Sequence, residues 1–227
     1  MKKYKKFIGS WCCITLLVSG FSPLAAQKIT DYFPVDETSI YFYRCIDKTL
    51  DLNYTWKVTQ IDNCNGNTCA FFELKQQAGN LITPQGKKPL AGGSKVMRYF
   101  SFSEKETVLK NITNYTTNGT KGLTTFPNQT YLRIPKTMEK PYMEDVFVGE
   151  DAMTITVEHK NSVTTFKETY NEVLKMTAIL EGQRGMIGKE EVWFAKNVGL
   201  VARKVYKANG QLDPYQSFEL EKVEKIK

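Results

Sequence analysis

Nucleophilic catalysis needs a nucleophile, a base that takes its proton and a group that orients the base. The chain carries one histidine, His159. It follows the alternating run Met153–Val157 and precedes Lys160-Asn161, which reads as a strand end or turn. Cys45 could serve as its nucleophile, but composition alone links the two, and no Gly-x-Ser-x-Gly elbow is present. Gly92-Gly93-Ser94-Lys95 has the residue types of a phosphate cradle. The first glycine of a P-loop is missing there, and no helical pattern follows. Asp62 to Asn67, with Glu73 twelfth from Asp62, imitates a calcium loop. Cys64 holds the third position, Gly66 comes one place early and the flanks are strand-like, so a hairpin accounts for it better. Acidic pairs stand at Glu144-Asp145, Glu150-Asp151 and Glu190-Glu191. Neighbours on a strand point to opposite faces, so these read as solvated edges rather than acid/base dyads. The expectation is no enzyme, no metal and no cofactor.

What the chain has in excess is aromatic surface. Tyr41, Tyr43, Trp56, Phe71, Tyr99, Phe100, Phe102, Trp193 and Phe194 all fall on strand-like runs. A two-layer core would use them as packing. A concave groove would instead use Tyr41, Tyr43, Trp56, Tyr99, Phe102 and Trp193 to hold a lipid-like or small apolar ligand.

The cysteines bear on both compartment and fold. Cys64 and Cys69 flank Asn65-Gly66-Asn67-Thr68, a turn sequence between two strand-like runs, and a disulfide between them would staple that hairpin. Cys45 is then left as a buried hydrophobe or a competing partner. Two cysteines at this spacing also suggest half a zinc site. With one histidine and no second pair, that reading fails. Disulfides persist in exported proteins, and the start of the chain agrees. Lys2, Lys3, Lys5 and Lys6 precede an apolar run from Phe7 to Val18, then Gly20, Pro23 and Leu24-Ala25-Ala26. This is the pattern of a signal peptide spanning residues 1–26 and cleaved after Ala26. The apolar run falls short of the ~20 residues that span a bilayer. Cys12 and Cys13 lie inside it with no lipobox in front. Removing four lysines leaves 27 basic against 24 acidic side chains, so the formal charge drops from +7 to +3. No basic cluster with interleaved aromatics survives, which argues against a nucleic-acid partner.

The elements that must position these residues are strands. Ser39–Ile46, Tyr54–Ile61, Ala70–Gln76, Lys95–Ser103 and Thr107–Ile112 are rich in β-branched and aromatic residues. Gln129–Ile134, Glu144–Val148 and Ser217–Val223 are shorter runs of the same kind. Met153, Ile155 and Val157 form one face of a strand, as do Leu174, Met176, Ala178 and Leu180. Asn65-Gly66 marks the clearest hairpin. Residues 27–37 read as a leader into an edge strand, with Pro34 unfit for a central ladder. Residues 77–95 carry Gly79, Pro84, Gly86, Pro89, Gly92 and Gly93 and read as a long irregular loop. Residues 113–128 read as a loop or ragged hairpin. Both stretches would serve as lids over a groove. Short helices are expected near Thr137–Glu144 or Lys167–Val173. Residues 27–227 thus form one mostly-β domain of about a dozen antiparallel strands, either a curved sheet or a half-open barrel.

One stretch resembles known proteins. Glu191-Val192-Trp193-Phe194-Ala195-Lys196-Asn197-Val198-Gly199-Leu200-Val201 resembles the C-terminal strand pair of small exported bacterial β-proteins of unknown function. Phe166 to Met176 resembles the segment before it. The resemblance covers about a quarter of the chain. Some such proteins look like the half-barrels of the lipoprotein-carrier and lipoprotein-receptor type, in which a curved sheet holds an acyl chain. It therefore implies an exported, periplasmic or envelope binding module with a hydrophobic ligand and peripheral contact with the membrane. The alternative is an envelope protein that meets a protein or glycan through its loops and edge strands. Physically, the same motif makes a corner that closes the sheet: Val192 and Phe194 face one side, Trp193 the other, and Gly199 permits a bend or bulge where two strands meet closely.

Overall fold

The computed structural model describes residues 27–90, 93–115, 121–148, 151–182 and 185–226. The expected leader, residues 1–26, lies outside them. One short helix, α1 (Ile29–Tyr32), precedes fifteen strands. These are β1 (Ser39–Cys45), β2 (Leu50–Asp51), β3 (Asn53–Cys64), β4 (Asn67–Gln76) and β5 (Asn80–Thr83). Next come β6 (Gly86–Pro89), β7 (Lys95–Phe102), β8 (Glu106–Tyr115), β9 (Lys121–Arg133) and β10 (Tyr142–Val148). The last are β11 (Asp151–Thr164), β12 (Thr169–Gly182), β13 (Gly185–Ala195), β14 (Gly199–Lys207) and β15 (Phe218–Lys225).

Twelve strands form one antiparallel sheet in the order β10-β11-β12-β13-β14-β15-β1-β3-β4-β7-β8-β9. It curls into a nearly closed barrel. Its two edges, β9 and β10, are neighbours in sequence, and among the described residues no ladder joins them. At one point side chains bridge this seam: the Arg133 guanidinium lies 4.6 Å from the centre of the Tyr142 ring.

Local chemistry explains the turns. Asn65 and Gly66 both take positive φ, 56° and 84°, and connect β3 to β4 as a two-residue hairpin of the type Asn-Gly favours. The Cys64–Cys69 disulfide closes the same hairpin, with the Cα atoms 5.9 Å apart. Residues 77–95 depart from the expected irregular loop. They contain the β5–β6 hairpin, turned by Pro84-Gln85, which pairs with β2 in a separate three-stranded sheet. Pro suits the first central position of such a turn, and Gly79 and Gly93 sit where backbones approach. A Cβ on Gly79 would lie 2.3 Å from the Asp51 carbonyl oxygen. Residues 113–128 belong largely to β8 and β9, which pair to Tyr115↔Lys121. Among the described residues, then, both stretches are largely strand. The expected helices near 137–144 and 167–173 are also absent. The first is an irregular link running into β10, and the second is a turn leading into β12.

The helix lies instead where an edge leader was expected, and it plugs the barrel. Ile29 and Tyr32 are fully buried and Phe33 is 2% exposed. The Phe33 ring meets Phe72, Phe100, Phe102 and Phe194 at centroid distances of 5.1–5.4 Å, with Trp56 and Tyr131 at 6.2 Å. Those rings come from five strands around the sheet, so Phe33 pins the walls together at one end of the interior. The Ile29 N–H donates to the Glu104 carbonyl (2.9 Å), and the Asn197 N–H donates to the Asp31 carbonyl (2.5 Å). Pro34 packs on Gly199, where a Cβ would come within 2.9 Å of the proline ring. Gly199, at φ 101°, thus serves the plug. It does not close the sheet, because the β13–β14 pair lies well inside it.

Candidate functional site

Along several strands of the barrel, one end faces the plug and the other faces open space. On β7, Phe100 and Phe102 pack on Phe33, while Val96 and Arg98 line a cavity. On β13, Phe194 packs on Phe33 and Glu190 lines a cavity. β12 follows suit: buried Leu174 pairs with Phe194, and Met176, Ala178 and Leu180 face the open end.

The aromatic residues singled out in the sequence divide accordingly. Tyr41, Tyr43, Trp56 and Phe102 are all buried. The gap among Tyr41, Tyr43, Trp56, Phe33 and Phe194 is only about 10 Å³, scarcely room for a water. The Tyr43 hydroxyl donates to the Leu200 carbonyl at 3.0 Å. Tyr99 and Trp193 lie on the outer face, one residue out of phase with Phe100 and Phe194. Tyr99 stacks on Phe71 at 4.3 Å, and Trp193 lies between the Lys175 and Lys204 ammonium groups at 5.4 and 5.3 Å. The alternation of Val192 and Phe194 against Trp193 is as read from the sequence. The plug, an element the sequence did not announce, takes the inward aromatics into the core.

The open end holds two adjoining cavities. The first, about 300 Å³, is lined by Tyr54, Leu74, Gln76, Ser94, Arg203 and Phe218 among others. The second, about 230 Å³, lies against Leu109, Tyr131, Met153, Ile155, Met176, Ala178 and Leu180. Arg98 and Ile112 line both. Taken together the two fall within the ~300–1,000 Å³ range of ligand pockets. The second is apolar apart from Tyr131, Glu190 and Arg98.

Three charged residues, Arg98, Arg203 and Glu190, line the two cavities. The Arg203 Nε donates to Glu190 at 2.6 Å and its Nη1 to the Gln216 carbonyl at 3.1 Å. Burial alone would raise the Glu190 carboxyl, but Arg203 and then Arg98 outweigh it and hold Glu190 below its ordinary value. The Arg98 Nη1 donates to the Tyr131 hydroxyl at 3.1 Å, and its guanidinium lies 5.9 Å from the ring centres of Trp56 and Tyr131. Its Nε is buried without a hydrogen-bond partner. The two arginines were passed over in the sequence, although a signal existed: Arg98 falls between Val96 and Phe100, and Arg203 between Val201 and Val205, each on an apolar face. The reading of Glu190-Glu191 as a solvated edge is corrected. Both are mid-sheet, Glu190 facing Arg203 inside and Glu191 facing Lys175 and Lys189 outside.

The remaining chemical candidates stand apart. His159 is mid-strand on β11 opposite Leu174, not at a strand end. Its Nε2 is buried without a partner, and burial lowers its pKa. Cys45 is a buried free thiol that donates to the Pro214 carbonyl. Four strands of the sheet separate β1 from β11, and no contact joins Cys45 to His159 among the described residues.

No protein-family model matches the sequence, and a search of curated proteins finds no relative. Among solved structures, a candidate lipoprotein from Parabacteroides distasonis is similar over 85% of this chain and 98% of its own, at 16% identity and a TM-score of 0.41. A candidate exported protein with a YmcC-like fold from Bacteroides fragilis matches over 86% and 99%, at 14% identity and 0.42. A β-barrel-like protein of a domain of unknown function from Brucella abortus matches over 84% and 99%, at 12% identity and 0.40. At these values the likeness is one of outline, and no residue role is transferred through it.

Proposed function

We propose that this chain is an exported binding module that holds a hydrophobic, lipid-like ligand in the open end of its half-open barrel. The observation that carries this reading is the pair of cavities sharing Arg98 and Ile112, walled on one side by Met153, Ile155, Met176, Ala178 and Leu180. The centre of the plug end is already filled by the chain's own Phe33, and the two cavities lie toward the other end of the barrel. The unladdered seam between β9 and β10 gives a lateral way in. Export rests on the leader pattern of residues 1–26, and the Cys64–Cys69 bridge suits an oxidising compartment.

Uptake of a fluorescent fatty-acid probe tests the proposal, comparing the protein with Ala178→Phe, which fills the second cavity. Saturable binding, weakened about tenfold or more by the substitution at unchanged thermal midpoint, is expected. An absence of uptake by the unmodified protein contradicts it. One observation favours a second reading, an envelope protein that engages a partner segment. Both β9 and β10 end the sheet with unpaired backbone, and such edges accept an added strand.

A further inference from the structure

We infer that the open end selects a single-chain amphiphile with an anionic head, of the fatty-acid carboxylate class, with Arg98 as the residue that receives the head. The inference rests on the ligand-binding reading above and specifies its chemistry. An apolar groove alone would take any alkyl chain. Among the residues lining the two cavities the charges are unequal: Arg98 and Arg203 face one carboxylate, Glu190. Glu190 is committed, because Arg203 holds it at 2.6 Å and it stays ionised. Arg203 is committed in turn to Glu190 and to the Gln216 carbonyl.

Arg98 is not. Its hydrogen bond goes to a neutral phenol, its other contacts are two ring faces, and its Nε is buried and unpartnered. Among the described residues no carboxylate lies within ion-pair distance of it. A buried guanidinium donor without an acceptor carries a desolvation penalty. Its planar fork matches a carboxylate in bidentate geometry. A ligand carboxylate placed there removes the penalty and satisfies the charge.

The division of the space agrees. Arg98 stands at the junction of the two cavities. On one side Gln76, Ser94 and Arg203 offer polar surroundings for a head. On the other, Met153, Met176 and Leu180 offer an apolar run for a chain. A cationic head would meet two arginines, and an uncharged hydroxyl would accept a single hydrogen bond there without the charge or the bidentate fit of a carboxylate.

The test compares palmitate with its uncharged counterpart palmityl alcohol at neutral pH, by displacement of a bound fluorescent probe. It uses the delipidated protein and its Arg98→Met and Arg98→Lys variants, with circular dichroism checking the fold of each. Palmitate is expected to bind about tenfold or more tightly than the alcohol. That gap should collapse in Arg98→Met and persist in part in Arg98→Lys. Equal affinity for the two in the unmodified protein overturns the anionic-head inference while leaving the groove intact. Binding of neither overturns the groove as well. Should Arg98→Met misfold, the palmitate-to-alcohol ratio in the unmodified protein and in Arg98→Lys decides alone.

Discussion

Glu190 and Glu191 are adjacent and chemically identical, yet the strand gives them different work. Glu190 points inward and pairs with Arg203. Glu191 points outward to the Lys175 and Lys189 ammonium groups and the Tyr206 hydroxyl. Burial pushes the Glu191 carboxyl up, but those three partners outweigh it and bring its pKa down to about 2. A folded value below the ordinary 4.5 means that the contribution to stability is present above that pH and is lost as pH falls toward 2. A shift of this size is worth about 3 kcal/mol. Glu191→Gln is expected to lower stability at neutral pH and to lose less on acidification than the unmodified protein. Denaturation curves over a pH series measure both, and parallel losses would contradict this. The sequence showed that the two glutamates face apart, because period two is a property of every strand. It did not show their partners. Those depend on which strands lie beside β13, and single-residue patterns are silent on that. The same limit hid Arg98 and Arg203. Their inward phase is visible among valines and phenylalanines, but the cavity they share is made by strands far apart in the chain.

The most consequential element is the shortest. Four residues of helix and Phe33 fill one end of the barrel, and the strand aromatics pack against them. Phe33→Ala removes the ring at the centre of that cluster and is expected to cost about 3–5 kcal/mol. Chemical denaturation measures it, and a loss below about 1 kcal/mol would mean that the plug is not part of the core. The segment Asp31-Tyr32-Phe33-Pro34 read as a leader because Pro34 is unfit for a ladder. That reasoning was sound about strands, but a proline outside the sheet is free to pack on Gly199. Hairpins were easier to read. Asn65-Gly66 supplies the positive φ that its turn requires, and the flanking cysteines are bridged. Residues 77–95 misled because glycine and proline density signals the absence of long strands. It does not exclude four-residue strands that pair with a remote β2.

At the scale of the whole molecule, the mostly-β composition and the spacing of turns pointed to a curved antiparallel sheet or half-open barrel, and the twelve-stranded sheet with its β9–β10 seam is that architecture. Local pattern decided the strands. Closure, the plugged end and the open end follow from curvature and from one N-terminal segment, which strand periodicity does not encode. The central claim is that the open end is a binding site and not merely an unfilled part of the core. Native mass spectrometry of the protein purified from its own envelope, followed by solvent extraction, tests it most directly. A co-purifying lipid-like molecule, released when the protein unfolds and anionic by its extraction behaviour, is the expected result. A clean unliganded mass that stays unchanged after incubation with fatty acid would contradict the account and turn attention to the unpaired edges of β9 and β10.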